Sequence, residues 1–418
     1  MYNAYIGTLQ NVRKHSNADR LLVGEIFGNQ VIVGLDYQEG ETLVYFPEGG
    51  RLNKDFCAAN NLLRSQGGYI SDDNCRVRAE KLRGEVSDGL PLRLETLAKF
   101  VGVDNVKDLK VGDRFDTLEG IKICEKYVPP RKTPGAPGTK SQNKRFKRGE
   151  TPTFQKHYDT LQLQYNLHKF KKGDFVIINS KCHGTSARFS LVLDEIELPR
   201  WKRLVNKVYP VFPTQEYRFM HGTRNVILGS EYKCDFHSQD FRESIAKQFY
   251  GKLNKDECVY AEVCGYETLN KSIMPAHNTE KLADKAFTKR YGKSMIYDYG
   301  CKNGEYKIFI YRIAIVNPDG ILYDLPWDTM KRRAEEMGFE VPTEFARFVY
   351  DGNQGDLLMK AKNWAERQDP IGNHWQEGVC VRNESSYPIR TYKLKSVVFK
   401  ICEGIQKDSD VADLEESS

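Results

Sequence analysis

A short apolar run that ends on a lysine is the feature that most constrains how this chain can fold. Residues 175–179 read Phe-Val-Ile-Ile-Asn, follow the turn pair Gly173-Asp174 and precede the tetrad Lys181-Cys182-His183-Gly184. Such a run predicts a buried β-strand with Lys181 at its exit. Because partial removal from water disfavours an ammonium ion, Lys181 is a candidate nucleophile. Taken alone, the tetrad is more typical of a surface turn, and it gains weight only from the residues that follow along the chain.

Further functional side chains lie on or beside other strand-like runs. In chain order they are Glu262, Phe309, Tyr311, Glu377, Lys393 and Lys395. Lys393 and Lys395 are two residues apart, so on a strand both would point to one face and toward one anion. Glu262 lies between apolar residues, where a carboxylate needs polar partners. Phe309 and Tyr311 share a strand face, so periodicity does not separate them. The structural alternatives are an exposed lysine stripe, a structural carboxylate and a core aromatic ring.

This ordered set resembles the motifs of the covalent nucleotidyltransferases, which include ATP-dependent ligases and RNA capping enzymes. The resemblance covers roughly residues 160 to 402. The sequence K-x-H-G-T-S that begins at Lys181 is similar to RNA ligases, whereas DNA ligases and capping enzymes more often have Asp at the position of His183. One departure is Ser180, since related ligases often carry Glu immediately before the nucleophile.

The resemblance implies ATP and a divalent cation as cofactors. Lys181 would attack the α-phosphate of ATP and form Lys-AMP, with release of pyrophosphate. Glu377 would bind Mg²⁺ or Mn²⁺, because carboxylate oxygens suit such cations. The implied nucleotide-binding residues are Lys181, Glu262, Tyr311, Glu377, Lys393 and Lys395, with Tyr311 preferred to Phe309 as the adenine stack. Arg224 would contact phosphates of the nucleic acid. His183 is not expected to bind Mg²⁺, since imidazole is the poorer ligand.

The first 120 residues predict an all-β module. Runs rich in β-branched and aromatic residues at 5–9, 21–27, 30–35 and 42–46 are separated by turn residues. Short strands at this spacing favour a small Greek-key barrel, with the OB-fold preferred. Arg76 and Arg78 alternate with small apolar residues, which predicts a strand with both guanidinium groups on one nucleic-acid-binding face. Solvated surface charge is the alternative.

We therefore predict an α+β protein with an N-terminal OB-like β-barrel and a nucleotidyltransferase domain of antiparallel sheets and helices. The expected boundaries are an OB-like nucleic-acid-binding domain at 1–120, a basic linker with Pro and Gly at 121–160, an adenylyltransferase domain at 161–405 and an acidic tail at 406–418. Within the catalytic region we expect helices at 240–249 and 327–337, and strands at 307–316, 379–382 and 391–400.

Composition argues against a membrane protein and favours nucleic acid as a partner. No apolar stretch reaches the roughly 18 residues of a membrane span, and the N-terminus lacks a signal-peptide layout. The 10 cysteines form no C-x-x-C pair, which predicts reduced thiols in a cytoplasmic protein. The net charge is only +6, but residues 131–148 carry seven basic and no acidic side chains. Such a segment is typical of phosphate binding or of a solvated linker.

The order of the two modules indicates which group of RNA ligases the chain resembles. A β module before the catalytic region resembles the Deinococcus-type RNA ligases, which join a 3′-OH to a 5′-phosphate at nicks. We expect an ATP-dependent RNA ligase, most simply a monomer, that acts on nicked duplex nucleic acid with an RNA 3′-OH end. One alternative is a DNA ligase or a capping-type guanylyltransferase. Another is a non-catalytic RNA-binding protein on a ligase scaffold.

Overall fold

A computed structural model describes residues 2–127, 149–196, 198–228 and 239–404. The predicted basic run at 131–148 and the predicted acidic tail at 406–418 lie outside these residues. Among the helices that are described, none is both long and apolar enough to cross a membrane. Nine cysteines are described, and all nine are free thiols. The expectation of reduced thiols therefore holds for these nine cysteines, and Cys234 lies outside the described residues.

The N-terminal region, residues 2–127, is built mainly from short strands. Its strands are β1 (Ala4–Thr8), β2 (Gln10–Lys14), β3 (Leu21–Ile26), β4 (Asn29–Gly34), β5 (Thr42–Phe46), β6 (Gly50–Leu52), β7 (Glu80–Leu82), β8 (Glu85–Ser87), β9 (Leu90–Arg93), β10 (Arg114–Phe115), β11 (Thr117–Leu118), β12 (Ile121–Lys122) and β13 (Cys124–Lys126). Its helices are α1 (Lys54–Ala59) and α2 (Leu94–Val101). The four strands predicted from the first 46 residues are thus confirmed.

The N-terminal strands fall into several small sheets. The two largest have the orders β10-β1-β5-β9 and β2-β3-β4, and β6 pairs with β13. Among the described residues, these pairings do not join into one closed ring, so a closed OB barrel is not formed by the hydrogen-bonded strands. The apolar side chains of β1 and β5 pack instead on α1 and α2, in a core that includes Ile6, Val44, Phe56 and Leu97.

The strand predicted around Arg76 and Arg78 was wrong. This segment forms no named strand, but it has an isolated bridge between Arg76 and Arg51 and backbone hydrogen bonds to residues 49–52. Arg76 is held by other contacts, since its guanidinium donates to the carbonyl oxygen of Gly404 at 2.7 Å and stacks on Tyr127. Arg78 is exposed.

The region from residue 149 onward mixes helices with longer strands. Its strands are β14 (Leu161–Gln162), β15 (Phe175–Ser180), β16 (Thr185–Glu195), β17 (Gln215–Gly222), β18 (Ile227–Leu228), β19 (Glu257–Thr268), β20 (Lys271–Ser272), β21 (His277–Asn278), β22 (Ser294–Met295), β23 (Tyr306–Val316), β24 (Leu322–Asp324), β25 (Glu344–Val349), β26 (Gly378–Asn383) and β27 (Arg390–Lys395). Its helices are α3 (Arg200–Val208), α4 (Gln239–Lys247), α5 (Lys285–Tyr291), α6 (Trp327–Glu336), α7 (Gln354–Ala365) and α8 (Val397–Cys402).

Two sheets organise this region. The first has the order β14-β27-β26-β15-β25, and the second has the order β18-β17-β16-β19-β23-β24, with β20 paired to β19. All pairs in them are antiparallel except β14 with β27. Side chains alternate along a strand, so Val176 and Ile178 of β15 pack toward α7, whereas Ile177 joins the core of the second sheet with α4 and α6. The exit of β15 therefore lies where the two sheets meet.

Most predicted elements of this region are confirmed. The helices expected at 240–249 and 327–337 correspond to α4 and α6, and the strands expected at 307–316 and 379–382 correspond to β23 and β26. The strand expected at 391–400 was only half right, because the chain turns into α8 after Lys395. Ser396 causes this change: its hydroxyl accepts from the backbone N–H of Phe399 at 3.1 Å and caps the new helix.

Buried contacts join the N-terminal region to the catalytic region. The Nζ atom of Lys400 on α8 lies 3.0 Å from Oε1 of Glu48, and both side chains are largely buried. The amide of Gln164 donates to Oδ1 of Asn29 at 2.9 Å. The ring of Tyr165 packs on Tyr5, with centroids 4.3 Å apart. The region that follows the predicted linker thus uses the N-terminal module as part of its own packing.

Candidate active site

Lys181 lies at the exit of β15, as the sequence predicts. The backbone N–H of Lys181 donates to the carbonyl oxygen of Gly378 at 3.0 Å, which ties the end of β15 to the start of β26. Glu377 immediately precedes β26, so its side chain reaches the lysine. The Nζ atom of Lys181 is 2.8 Å from Oε1 of Glu377. Antiparallel pairing of two strands thus brings together two residues almost 200 positions apart.

The ion pair with Glu377 reverses the pKa shift that burial alone would give Lys181. Burial alone lowers the pKa of Lys181, but the carboxylate of Glu377 outweighs it, so the pKa is raised above its usual value. Burial would likewise raise the pKa of Glu377, yet Lys181 keeps that pKa well below its usual range. The expectation that Lys181 is partly neutral was therefore wrong for the free protein. The amine rests as an ammonium ion, because a buried charge with a close opposite charge keeps its charge.

Lys393 and Lys395 point to one face of β27, as predicted from their spacing. Lys395 pairs with Gly378 in the sheet, and its Nζ atom lies 3.8 Å from Oε1 of Glu377. Gly378 permits this close packing, since a Cβ at that position would meet the carbonyl oxygen of Leu394 at 2.1 Å. Burial, together with the positive charge of neighbouring lysines, lowers the pKa of Lys393 to about 8. Three ammonium groups therefore face one carboxylate, a surplus of positive charge that suits phosphates.

A cavity of about 140 Å³ lies beside these residues. Five of the predicted site residues line it together: Lys181, Arg224, Glu262, Tyr311 and Lys393. Glu262 accepts a hydrogen bond from the hydroxyl of Ser186 at 3.3 Å. Burial raises the pKa of Glu262 to about 7. The backbone N–H of Gly184 also donates to this half-buried carboxylate. Two carboxylate oxygens offer about four acceptor positions, so capacity remains for ligand hydroxyls.

The rings of Tyr311 and Phe309 lie in different surroundings. Both side chains lie on the same side of β23, but Phe309 packs with Cys182 and Tyr299 beneath the lysine loop. Tyr311 lines the cavity. The register between β19 and β23 shifts between Tyr260 and Ala261, which inserts an extra residue in β23. Because of this bulge, Tyr311 and its neighbour Arg312 both face the cavity although they are consecutive.

Arg224 lies in the turn after β17 at the edge of the cavity, where its side chain is exposed and forms an ion pair with Asp159. Arg76 and Arg78 do not line this cavity. They border a separate one of about 340 Å³ in the N-terminal region. The contact that each of these arginines makes with nucleic acid stays a prediction.

Some lining residues were not found from the sequence. His157 is one: its ring lies edge-to-face on Tyr311, with centroids 5.1 Å apart, and it also lines the cavity. It carried no sequence signal, because it belongs to the segment expected to be a linker. Arg188, in contrast, extends the lysine motif but is buried, and its guanidinium donates to backbone carbonyls, one of them that of Thr223 at 2.9 Å. It supports the fold.

Glu377 fits a divalent cation. Its Oε2 atom is buried and makes no close hydrogen bond among the described residues, although Nδ1 of His183 lies 3.5 Å away. A carboxylate oxygen with an unused lone pair is what Mg²⁺ or Mn²⁺ prefers. The Oε1 atom is already held by Lys181, which fixes the orientation of the carboxylate. One carboxylate is enough where waters and substrate phosphates complete the coordination of the cation.

Comparison with known proteins agrees with this geometry. The fold is similar to that of Naegleria gruberi RNA ligase solved with PPi, with a TM-score of 0.60 at 14% identity over 95% of this chain and 97% of that chain. A mutant of the same ligase with ATP and Mn gives a TM-score of 0.61, also at 14% identity and with the same coverage. Another mutant, with AMP and Mn, gives a TM-score of 0.58 at 14% identity over 94% of this chain and 96% of that chain. A search of curated protein sequences finds no significant match.

The fold is thus that of an RNA ligase, within the nucleotidyltransferase superfamily. A sequence model described as RNA ligase matches residues 174–402, more than half of the chain. The chain belongs to the RNA ligase family, which is a family of enzymes. This confirms the family expected from the ordered motifs, and it argues against the reading as a non-catalytic RNA-binding protein.

Proposed function

We propose that this protein is an ATP-dependent RNA ligase that seals nicks between a 3′-OH and a 5′-phosphate through a Lys-AMP intermediate. The observation that carries the proposal is the pair of Lys181 and Glu377, set beside a cavity that Glu262, Tyr311 and Lys393 also line. Together these side chains supply a nucleophile, a carboxylate for a cation, a hydrogen-bond acceptor, an aromatic face and a cation for phosphate. The solved Naegleria ligases with ATP or AMP and Mn support the choice of nucleotide and cation.

The proposed chemistry has three steps: two transfers of AMP at the α-phosphorus of ATP, then attack of the 3′-OH on the 5′-phosphate of the nucleic acid. The Nζ atom of Lys181 forms a bond to the α-phosphorus of ATP, and the bond to pyrophosphate breaks. The 5′-phosphate of the nucleic acid then takes the AMP, which frees Lys181. Finally the 3′-OH attacks that 5′-phosphate, and AMP leaves as the phosphodiester forms. Lys393 and Lys395 offset the negative charge that gathers on the phosphates.

Lys181 must lose its proton before it can attack, since an ammonium ion has no free electron pair. In the free protein the carboxylate of Glu377 holds that proton in place by raising the pKa of Lys181. Glu377 would hold Mg²⁺ or Mn²⁺, and the bound cation would offset the charge of the phosphates. Glu262 would accept from the ribose hydroxyls, and Tyr311 would stack on the adenine.

The Deinococcus-type assignment rests on the order of the two regions. A β-rich region precedes the catalytic one and packs against it. On this proposal, residues 1–120 act as an OB-like nucleic-acid-binding domain, and residues 161–405 act as the adenylyltransferase domain. Arg224, Arg76 and Arg78 would contact the nucleic acid. A monomeric state and a cytoplasmic location are part of the same proposal.

A second cavity, of about 750 Å³, supports a path for the nucleic acid. It lies between the N-terminal and catalytic regions and shares Tyr158 and Thr391 with the cavity beside Lys181. Arg114 of β10, Lys169 and Arg390 of β27 line it. We call it the interdomain cleft. A phosphate backbone lying there would lead directly to the reacting phosphate.

The charge of the interdomain cleft is positive. The two carboxylates that line it are neutralised by ion pairs: Asp116 pairs with Lys122, and Asp159 pairs with Arg224. The pKa of His168, which also lines the cleft, is lowered by burial and by the positive charge of its neighbours. An uncompensated cluster of cations in a concave surface attracts an anionic polymer.

Arg114→Ala and Arg390→Ala are each expected to weaken binding of a nicked duplex by about fivefold at physiological salt and to lower the salt slope by about one. Fluorescence anisotropy across a salt series measures both quantities. Formation of Lys-AMP from ATP is not expected to change, because neither arginine lines the nucleotide cavity. Arg64→Ala is the matched control, since Arg64 is exposed on the N-terminal region outside the cleft. Equal effects of all three substitutions would contradict a path through the cleft.

The ligase is expected to prefer a ribose at the 3′-OH end of the nick. A site that hydrogen-bonds the 2′-OH leaves its partner unpaired when the end is deoxyribose, which costs roughly 1–3 kcal/mol, or about 5- to 150-fold in rate. The measurement compares sealing of two nicked duplexes that differ only in that sugar. Sealing of both duplexes at the same rate would favour the DNA-ligase alternative.

A further inference from the structure

Two histidines and a carboxylate converge behind the lysine loop. His183 follows Lys181 by two positions, His277 lies on β21 and Glu403 directly follows α8. One donor atom from each of the three side chains lies within 4.8 Å of the others. The Nε2 atom of His277 is 2.6 Å from Oε1 of Glu403. Segments that are distant in sequence thus bring three metal-binding side chains to one point.

The Nδ1 atom of each imidazole ring faces an oxygen of a neighbouring side chain. The Nδ1 atom of His183 lies 3.5 Å from Oε2 of Glu377. The Nδ1 atom of His277 lies 3.2 Å from the hydroxyl oxygen of Tyr297. Metal-binding histidines are commonly oriented in this way, with one nitrogen on an oxygen of a neighbouring group and the other on the metal. This arrangement leaves the two Nε2 atoms available to the same ligand.

One nitrogen of His183 is buried without a hydrogen-bond partner, which is unusual for a buried polar network. Its side chain is only 10% exposed, and its Nε2 atom has no hydrogen-bond partner among the described residues. The pair of His277 and Glu403 would satisfy those two side chains but leave this buried nitrogen without a partner, which is unfavourable. A ligand at the centre of the three groups would provide that partner.

We propose that His183, His277 and Glu403 form a binding site for a zinc ion, with the Nε2 atoms of both histidines and a carboxylate oxygen as ligands. Two imidazoles and one carboxylate are a common donor set for Zn²⁺, whereas Mg²⁺ prefers oxygen alone. Zinc ligands lie about 2.0–2.2 Å from the metal, so the three donors need only small side-chain rotations to close on it. The aromatic rings of Tyr297 and Phe399 flank His183 and exclude water, and the partly exposed Glu403 gives access from solvent.

This zinc site is separate from the cation proposed at Glu377. Nδ1 of His183 lies near Glu377, so the unpartnered Nε2 atom is the nitrogen that we assign to zinc. The inference therefore does not depend on the proposed ligase reaction. Zinc would link β21 and the end of α8 to the loop of Lys181. His183 stands where DNA ligases and capping enzymes more often have Asp. Zinc binding would give this histidine a function that an Asp at the same position does not have.

Metal content tests the zinc site without any activity assay. The full-length protein is incubated with Zn²⁺ in excess Mg²⁺, separated from free metal and analysed by mass spectrometry. We expect about one zinc per chain in the wild type and a loss of at least about tenfold in affinity in His277→Ala and Glu403→Gln. His168→Ala is the matched control, since His168 is exposed and outside this group. Cobalt in place of zinc should give visible d–d absorption in the wild type and lose it in His277→Ala.

Two results would overturn the site. One is a wild-type protein that retains no zinc; the other is a His277→Ala protein that retains it as tightly as the wild type. The variants are checked for folding by circular dichroism. If His277→Ala does not fold, Glu403→Gln serves as the test variant. It is expected to fold because Glu403 is partly exposed and the substitution keeps the size of the side chain. Zinc should also raise the melting temperature of the wild type and not of Glu403→Gln.

Discussion

Lys181→Ala is expected to abolish the transfer of label from α-labelled ATP to the protein. The substitution removes the only atom that forms the covalent bond in the proposed first step, so the rate should fall by more than about 10³-fold. The measurement is a denaturing gel after incubation with Mg²⁺, in which labelled Lys-AMP migrates with the chain. Labelled GTP in a parallel reaction tests the nucleotide, and we expect transfer from ATP.

Loss of label has to be separated from loss of fold. Lys181→Ala leaves the buried carboxylate of Glu377 without its closest partner, which can cost 3–5 kcal/mol of stability, a range typical of broken buried pairs. Lys181→Arg keeps a positive charge beside Glu377 and is expected to fold, yet to remain unlabelled. Lys172→Ala is the matched surface control, because Lys172 is exposed just before β15. Label on Lys181→Arg or Lys181→Ala would refute the assignment of the nucleophile.

Glu377→Ala is expected to lower Lys-AMP formation by about 10²- to 10³-fold. This variant loses the carboxylate proposed to hold Mg²⁺, a cation that offsets phosphate charge. It also leaves the ammonium groups of Lys181 and Lys395 without the carboxylate that both approach. The rate of label transfer is measured across a Mg²⁺ titration and again with Mn²⁺.

Two further variants sharpen the test at Glu377. Glu377→Gln keeps the size of the side chain but not its charge, so it should fold and still adenylylate poorly. Glu335→Ala, a change at an exposed glutamate of α6, should behave as the wild type. If Glu377→Ala is labelled at the wild-type rate at every Mg²⁺ concentration, the role of Glu377 is purely structural.

Local patterns in the sequence were enough to select several side chains that the structure brings together at one cavity. The apolar run before Lys181 predicted its strand, and the spacing of Lys393 and Lys395 predicted their shared face. These predictions depend only on alternation along one strand. The family and the mixed α+β fold were predicted because several such motifs occur in order.

Other features of the site depend on contacts between distant segments. The raised pKa of Lys181 comes from Glu377, which directly precedes β26, and no local pattern pairs that strand with β15. Tyr311 and Arg312 face one cavity because of a bulge that forms only when β23 pairs with β19. Arg76 was expected on a nucleic-acid face, but it binds the carbonyl of Gly404, at the far end of the described chain. Periodicity within a single segment contains no information about such pairings.

The buried pair of Lys400 and Glu48 bears on how this protein could have been assembled in evolution. Burial alone would lower the pKa of Lys400, but Glu48 more than offsets it, so the ammonium ion depends on a carboxylate from the other region. Lys400 sits on the helix that begins directly after Lys395. A recombination event that exchanged the N-terminal region for an unrelated one would leave this charge without its partner, next to the strand that carries Lys393 and Lys395. The two regions therefore have to be inherited together, and a chimera requires a carboxylate in the place of Glu48.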